Sequence, residues 1–279
     1  VESYLKECLD SLIFQSFSDF EVICVNDGST DNSSKILKSY SEKDNRIKII
    51  NKKNQGLLWA RRDAIKIASG DYILFLDSDD KYSNLNVLKL LDQKLKKFNN
   101  PDILLFDRAN IINGVIKGTC NHFYQTEKYF ENETLNEIRY QFISRNYFNA
   151  IFLKCVKRTF LQKDKTDYTN HNPQMCEDIT QSIYLFDQCQ SIAYIPEFLY
   201  LYRYNEQSIT NSPLSFEKLE NKMVRKLFLT MNDCICKWKL FDYKNDVYQK
   251  FYNKAYSFYC QRIIELFSFK KNKNVNKKT

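Results

Sequence analysis

The sequence predicts an α/β fold, and two observations lead to this prediction. Short apolar runs alternate with amphipathic helical stretches over the first hundred residues, a pattern typical of strands joined by crossover helices. The 279 residues are 43% hydrophobic and 27% charged, which is an ordinary globular balance. A chain of this length and composition can form one large domain or two modest ones.

The predicted elements follow one another in a regular order. Apolar residues at helical spacing from Tyr4 to Ile13 predict an opening amphipathic helix. Asp31 or Thr30 can begin the next helix, and Asn113-Gly114 between two β-branched pairs predicts a hairpin. The remaining stretches are predicted from periodicity and turn residues. Strands are predicted at residues 20–25, 46–50, 72–76, 102–106, 191–195 and 198–204, and helices at 57–69 and 84–98, with mostly helix from 216 to 269.

The stretch from Gly70 to Asp80 is the most informative part of the chain. An apolar run, residues 72–76, ends in three carboxylates, those of Asp77, Asp79 and Asp80. Ligands of open α/β sheets bind beyond the carboxyl ends of the strands, where these side chains fall. Clustered like charges need solvent or a cation among them, and oxygen ligands favour Mg²⁺ or Mn²⁺. A solvated acidic turn that caps the next helix, with Asp80 as the cap, is the plain alternative.

Composition limits the other classes of function. Nine cysteines without a CxxC pair and two histidines give no zinc pattern, and they fit reduced thiols in a cytosolic protein. No apolar stretch reaches the roughly 18 residues of a membrane span. The net charge of +8 suits an anionic partner such as a membrane surface or a nucleotide-linked substrate, or it serves solubility alone. We therefore expect a cytoplasmic protein, with possible peripheral contact at the inner membrane face and no nucleic acid partner.

Five motifs in this order and spacing resemble the family 2 glycosyltransferases of bacteria. They are Val22 to Asp31, Asn54-Gln55-Gly56 with Ala60-Arg61, Phe75 to Asp80, Glu177-Asp178, and Tyr202 to Thr210. The resemblance implies a GT-A (Rossmann-like) fold with a mixed sheet and flanking helices, and inverting transfer from a nucleotide-sugar in surface-glycan assembly. The resemblance extends to about residue 212 and implies a nucleotide-sugar-binding half (residues 1–108) and an acceptor-binding and catalytic half of the same domain (109–212). Periodicity and composition predict a helical C-terminal extension (213–269) and a disordered basic tail (270–279).

The resemblance also implies roles for the residues on the donor side. Asp79 would bind the Mn²⁺ or Mg²⁺ ion, and Asp77 would lie near the ribose and the nucleotide. Asp27 would accept a hydrogen bond from uracil N3–H, although Asp27-Gly28 can also serve only the turn. Arg61 would reach the diphosphate bidentately, with Asn54 supporting the same region.

On the acceptor side, the resemblance assigns Asp178 as the general base and Glu177 as the residue that orients it. Acidic residues are also favoured in the first turn of any helix. Arg203 and Asn205 fall in the family's Tyr-Arg-x-His region. Arg203 is a diphosphate ligand or forms a surface salt bridge. Asn205 replaces the usual histidine, so as a metal ligand it would bind more weakly.

Relatives in this family begin with an apolar strand that ends in Pro-x-Tyr-Asn, and Val1 falls just after it. A sheet without this strand would expose unpaired backbone, so poor stability or poor nucleotide affinity is expected unless the gap is filled.

Two functions of other classes stay open. One is a phosphatase of the haloacid dehalogenase type with Asp77 as nucleophile. The other is a non-catalytic protein that binds sugar nucleotides. For the glycosyltransferase, residues 105–175 are predicted to bind the acceptor, a glycan or a lipid-linked glycan, and the donor is predicted to be a UDP-sugar.

Overall fold

The computed structural model describes residues 1–112, 114–117, 121–145, 147–166, 168, 177–204 and 222–254. These residues form two compact units. The first comprises the described residues of 1–135, 150–167 and 173–204, and the second those of 136–149, 168–172 and 205–279.

Helices and strands alternate along the first unit. The helices among the described residues are α1 (Glu2–Ile13), α2 (Ser33–Ser41), α3 (Leu57–Ile67), α4 (Val87–Lys97), α5 (Leu135–Ser144), α6 (Arg158–Gln162), α7 (Glu177–Gln188), α8 (Lys222–Lys237) and α9 (Leu240–Tyr243). The strands are β1 (Val22–Asp27), β2 (Ile47–Lys52), β3 (Tyr72–Leu74), β4 (Lys81–Tyr82), β5 (Ile103–Ile112), β6 (Val115–Ile116), β7 (Lys128–Glu131), β8 (Lys154–Lys157) and β9 (Ser191–Arg203).

The strands form two sheets. β1 and β2 pair in parallel, from Val22 opposite Ile47 to Asp27 opposite Lys52. The larger sheet has the order β3-β8-β5-β9-β4, with β6 added to β5 and β7 added to β9. β5 and β9 are parallel, whereas β8 is antiparallel to β3 and β5. The predicted mixed α/β architecture is therefore confirmed.

Burial follows the apolar pattern of the sequence. Residues 103–106 of β5 are completely buried at the centre of the larger sheet. On the smaller sheet, Leu5 and Leu9 of α1 pack with Leu37 of α2. These contacts use the helical repeat that predicted α1, because residues four apart lie on the same side of a helix.

One strand was predicted as two. β9 runs without a break from Ser191 to Arg203, although Pro196 and Glu197 interrupt its apolar pattern. Its pairing with β5 shifts register between Leu105 and Arg108. The interruption therefore produces a bulge rather than the end of a strand, and such an irregularity re-aims the side chains that follow it.

The hairpin predicted after β5 is present. Ile111 pairs with Ile116 and Ile112 with Val115, and Gly114 adopts a φ of 78°. Glycine suits this position because it adopts positive φ without a steric cost. Asn113 lies outside the described residues.

The second unit is helical. Tyr140 of α5 donates a hydrogen bond to Asp246 and accepts one from Lys250. Trp238 is buried, with the guanidinium of Arg139 5.2 Å from its ring. None of the described helices is long and apolar enough to cross a membrane.

Candidate active site

The acidic loop after β3 is tied to the end of β9. The hydroxyl of Tyr200 donates to Asp80 Oδ2 at 2.6 Å and accepts from the backbone N–H of Asp77 at 3.2 Å. The backbone N–H of Arg203 donates to Asp80 Oδ1 at 2.6 Å. Burial raises the pKa of Asp80 to about 7, against the effect of these hydrogen bonds. Asp80 thus fixes the loop, and the suggestion that it caps the next helix is wrong, because α4 begins at Val87 after Asn86.

Arg61 joins two of the predicted motifs. Its Nη2 donates to Asp77 Oδ1 at 3.0 Å and its Nη1 to Asp178 Oδ1 at 2.5 Å. The side chain of Arg61 is only 6% exposed, while those of Asp77 and Asp178 are 25% and 28% exposed. Burial acts to lower the pKa of this guanidinium, but the two carboxylates outweigh it and raise the pKa. The carboxyl end of β3 and the start of α7 are therefore held together by one buried cation.

The helix α7 places the acidic pair Glu177-Asp178 at this point. Both residues lie in its first turn, and Leu185 and Phe186 on its apolar side are completely buried. Burial raises the pKa of Glu177, and the neighbouring Asp178 carboxylate raises it further. Gln181, one turn on, accepts a hydrogen bond from Arg61 at 3.4 Å.

The donor set around Asp77 fits a hard divalent ion whose coordination a substrate completes. Burial raises the pKa of Asp77, the guanidinium of Arg61 lowers it, and the carboxylates of Asp178 and Asp79 raise it further. A cation would offset this accumulation of negative charge. Within the described residues, no group of three or more His, Cys, Asp or Glu side chains is placed to hold a metal. Proteins usually bind Mg²⁺ through one or two carboxylates, and phosphates of the substrate supply further ligands.

Arg203 and Glu7 form the next part of the site. The Nε of Arg203 donates to the carbonyl oxygen of Asp79 at 2.8 Å, and its Nη2 pairs with Glu7 of α1. Glu7 also pairs with Lys81, and this contact lowers the pKa of Glu7; burial raises the pKa, and the charge of Arg203 lowers it further. Of the two predicted roles of Arg203, the structure displays the salt bridge. Asn205, the other residue predicted in this motif, lies outside the described residues.

Asp27 organises a loop at the end of β1. Its carboxylate accepts hydrogen bonds from the backbone N–H groups of Gln55, at 3.0 and 3.2 Å, and Gly56, at 2.7 Å. Gly28 has a φ of 75°, and a Cβ there would lie 2.9 Å from the backbone nitrogen of Asn54. Asp27 and Asn54 therefore meet at one turn on the smaller sheet. The structure records no direct contact between this pair and Asp77, Arg61 or Asp178.

Sequence reasoning missed one charged residue beside the pair formed by Arg61 and Asp178. Lys154, the first residue of β8, is completely buried and donates to the carbonyl oxygen of Ala150 at 2.6 Å. Its Nζ lies 5.8 Å from the ring centre of Phe186 in α7. Burial lowers the pKa of Lys154 to about 7, although the Asp178 carboxylate raises it. A lysine within an apolar stretch was the only indication in the sequence.

Comparison with protein families identifies the chain. The model of "Glycosyl transferase family 2" matches residues 1–159, which is more than half of the chain. The chain belongs to glycosyl transferase family 2. This match favours the glycosyltransferase over the phosphatase alternative.

Two relatives of this family 2 chain are informative. It is 30% identical over 218 residues to the uncharacterized glycosyltransferase EpsJ of Bacillus subtilis, covering 76% of this chain and 61% of EpsJ. It is 44% identical over 108 residues to the poly(ribitol-phosphate) beta-glucosyltransferase of Bacillus spizizenii, covering 37% of this chain and 17% of that protein. The family 2 chain thus spans less than two thirds of either relative.

A solved structure shows the same fold. Residues 1–349 of S. aureus TarS in complex with UDP-GlcNAc match this family 2 chain with a TM-score of 0.64 and 25% identity. The match covers 82% of this chain and 63% of the TarS chain. The predicted GT-A fold is therefore confirmed.

Proposed function

We propose that this family 2 chain is an inverting glycosyltransferase that moves a sugar from a UDP-sugar to a hydroxyl group of a glycan or lipid-linked acceptor. The observation that carries the proposal is the buried Arg61, which joins the Asp77 loop to Asp178 at 3.0 and 2.5 Å. A donor-binding motif and a candidate base, 101 residues apart in the sequence, thereby share one site. The complex of the TarS match with UDP-GlcNAc supports a UDP-sugar as donor.

Asp79 and Asp77 are the residues that would hold Mn²⁺ or Mg²⁺, with Asn205 as a further candidate. When bound, the ion supplies Lewis-acid stabilisation of the negative charge that develops on the leaving diphosphate. Asp80 keeps the loop in place through Tyr200 and the backbone of Arg203. The side chain of Arg203 closes the other side of the loop through the carbonyl oxygen of Asp79.

Asp178 is proposed as the general base. As the acceptor oxygen bonds to the anomeric carbon, the bond from that carbon to the diphosphate oxygen breaks, and UDP leaves with the electron pair. The hydroxyl proton passes to a carboxylate oxygen of Asp178, and attack from the face opposite the leaving group inverts the configuration. Glu177 orients this carboxylate, and Arg61 fixes one of its oxygens so that the other can face the acceptor.

Nucleotide contacts are proposed for the turn on the smaller sheet. Asp27 already binds two backbone N–H groups, which fixes the direction of its carboxylate. A fixed carboxylate can accept a further hydrogen bond from uracil N3–H, because each of its oxygens has two acceptor positions. Asn54 lies in the same loop and would support the nucleotide.

The acceptor is proposed as a glycan or a lipid-linked glycan of the bacterial surface. One relative is named for glucosyl transfer to poly(ribitol-phosphate), which is a polymeric acceptor. Peripheral contact with an anionic inner membrane face is proposed from the net charge of +8.

A screen of UDP-sugars for hydrolysis with and without Mn²⁺ tests this function. We expect metal-dependent hydrolysis of at least one UDP-sugar and its loss in Asp79→Ala. Asp71→Ala, which removes a carboxylate at the other end of β3, is the matched control and should keep the activity. UDP binding without turnover of any UDP-sugar would favour the non-catalytic alternative, and hydrolysis that is equal in Asp79→Ala would refute the assignment.

A further inference from the structure

Arg108 of β5 differs from the arginines that hold the fold together. Its guanidinium lies 4.3 Å from the ring centre of Tyr202, and the residue is only partly exposed. Arg46, Arg61 and Arg203 each pair with a carboxylate. Arg108 has no such partner among the residues that the structure describes. A partly buried cation without a counter-charge among the described residues is costly, which makes Arg108 a candidate for binding an anion.

The register of the sheet places Arg108 beside the candidate active site. Arg108 lies opposite Tyr200, whose hydroxyl binds Asp80 and the backbone of Asp77. Phe152 stacks on Tyr200 at 4.4 Å and on Tyr202 at 5.9 Å, so these rings share one face of the sheet. Arg108 packs on Tyr202 and is therefore on this face as well.

The opposite face of the same strands is apolar. Ala109 and Ile111 of β5 pack there with Leu201 and Phe198 of β9. Since side chains alternate along a strand, Arg108 is directed away from this cluster. The charge of Arg108 is thus confined to the face that carries the Asp77 loop.

The site also has an exposed aromatic residue. Tyr204 follows β9 and extends its pairing, because its backbone N–H donates to the carbonyl oxygen of Ile111. Its side chain is 53% exposed. Two residues after Tyr202, it offers an exposed amphipathic ring against which a sugar or polyol can pack.

We propose that Arg108 binds an anionic group, a phosphate or a carboxylate, on the acceptor that receives the sugar. A guanidinium stacked on a ring keeps its N–H edge available for two parallel hydrogen bonds to such a group. The proposal rests on the proposed function, because it assigns the Arg108 ligand to the acceptor. Arg108 lies opposite Tyr200, whose hydroxyl binds the loop that carries Asp79. The titration is therefore made in the presence of UDP, so that an anionic group of the acceptor is distinguished from the diphosphate of the donor.

A titration with small probes tests this site in the chain saturated with UDP and Mn²⁺. The charged probes are glycerol 3-phosphate and glucuronate, and the neutral probes are glycerol and glucose. We expect a charged probe to bind at least about tenfold more tightly than its neutral counterpart, which corresponds to about 1.4 kcal/mol. Preference for glycerol 3-phosphate identifies a phosphorylated acceptor, and preference for glucuronate identifies an acidic sugar.

The variants separate Arg108 from general charge effects. Arg108→Met should abolish the preference for the charged probe, and Arg108→Lys should retain part of it because the charge remains without the bidentate geometry. Arg158→Met removes the same charge at the amino end of β3, where Arg158 binds the carbonyl oxygen of Gly70, and should retain the preference. UDP affinity should be unchanged in all three variants.

Two results would overturn the proposal. Equal binding of charged and neutral probes by the wild type would show that no anion site exists at Arg108. A loss of UDP affinity in Arg108→Met comparable to the loss of the charged probe would place Arg108 in the donor site. Failure of the proposed function is distinguishable, since the wild type would then not bind UDP with Mn²⁺, or Asp79→Ala would bind it equally well.

Discussion

Replacing Arg61 with methionine should destabilise the chain more than any other single loss of charge in the site. The substitution leaves the carboxylates of Asp77 and Asp178 facing one another without the cation that lies between them. Removing one partner of a buried ion pair costs about 3–5 kcal/mol. The two carboxylates are 25% and 28% exposed, so solvent screens part of their repulsion and the lower value, about 3 kcal/mol, applies.

Thermal unfolding followed by circular dichroism measures this loss. For a unit of this size, about 3 kcal/mol corresponds to a decrease in Tm of roughly 6–12 °C. The loss should shrink as the pH falls from 7.5 to 5. In Arg61→Met, burial and the Asp178 carboxylate raise the folded-state pKa of Asp77 above its unfolded value. The folded variant is therefore relatively stabilised at low pH, where Asp77 is protonated. It loses that stability as the pH rises through the folded-state pKa.

Arg62→Met is the matched control for this experiment. Arg62 is the next residue of α3, and its Nη1 pairs with Asp164 at 3.0 Å. We expect a smaller loss than in Arg61→Met, because Arg62 is more exposed than Arg61 and does not join Asp77 to Asp178. Equal stability of Arg61→Met and the wild type at pH 7.5 would refute the bridge between the two motifs.

Three further predictions concern stability. Lys154 has a folded-state pKa of about 7, below its unfolded value. The free energy of unfolding of the wild type should therefore rise between pH 7 and 10, by at most about 5 kcal/mol. Urea unfolding of Lys154→Met should lack this rise. Tyr200→Phe should lower the free energy of unfolding by about 2 kcal/mol, measured by thermal unfolding, because the buried Asp80 carboxylate loses a hydrogen-bond donor. A change below about 0.5 kcal/mol would contradict this prediction. Gly28→Ala should lower the free energy of unfolding by about 1–3 kcal/mol, since φ is 75° and the new Cβ would clash with Asn54. Calorimetry should also show weaker UDP binding, and an unchanged UDP affinity would show that this turn does not bind the nucleotide.

Local patterns predicted most of the elements because helices and strands have fixed periods. The opening helix was predicted from spacing and the hairpin at Gly114 from its Asn-Gly turn residues, and both are present. β9 was divided at Pro196 because a proline normally ends a strand, and only its pairing with β5 shows that the chain bulges and continues. Irregular pairing depends on the neighbouring strand, which local sequence does not specify.

The chemistry of the site was harder to predict than its location. The diphosphate role of Arg61 stays a prediction, and its pairing with a carboxylate 117 residues away was not predicted. Such a contact depends on how α3 and α7 pack. Asp80 resembled its acidic neighbours in the sequence, but burial distinguishes it and gives it a structural role. The apolar stretch around Lys154 was a weak indication of its burial beside Asp178, because an isolated lysine in a strand is usually exposed.

Turnover of Asp178→Asn tests the central claim most directly. The substitution keeps the size of the side chain and an oxygen for Arg61, but the amide cannot accept the acceptor proton. With the UDP-sugar found in the screen, we predict that kcat falls by about 10²–10⁴-fold while calorimetry gives an unchanged Kd for UDP with Mn²⁺. A kcat within about threefold of the wild type, measured on protein that binds UDP normally, would contradict the assignment of Asp178 as the base.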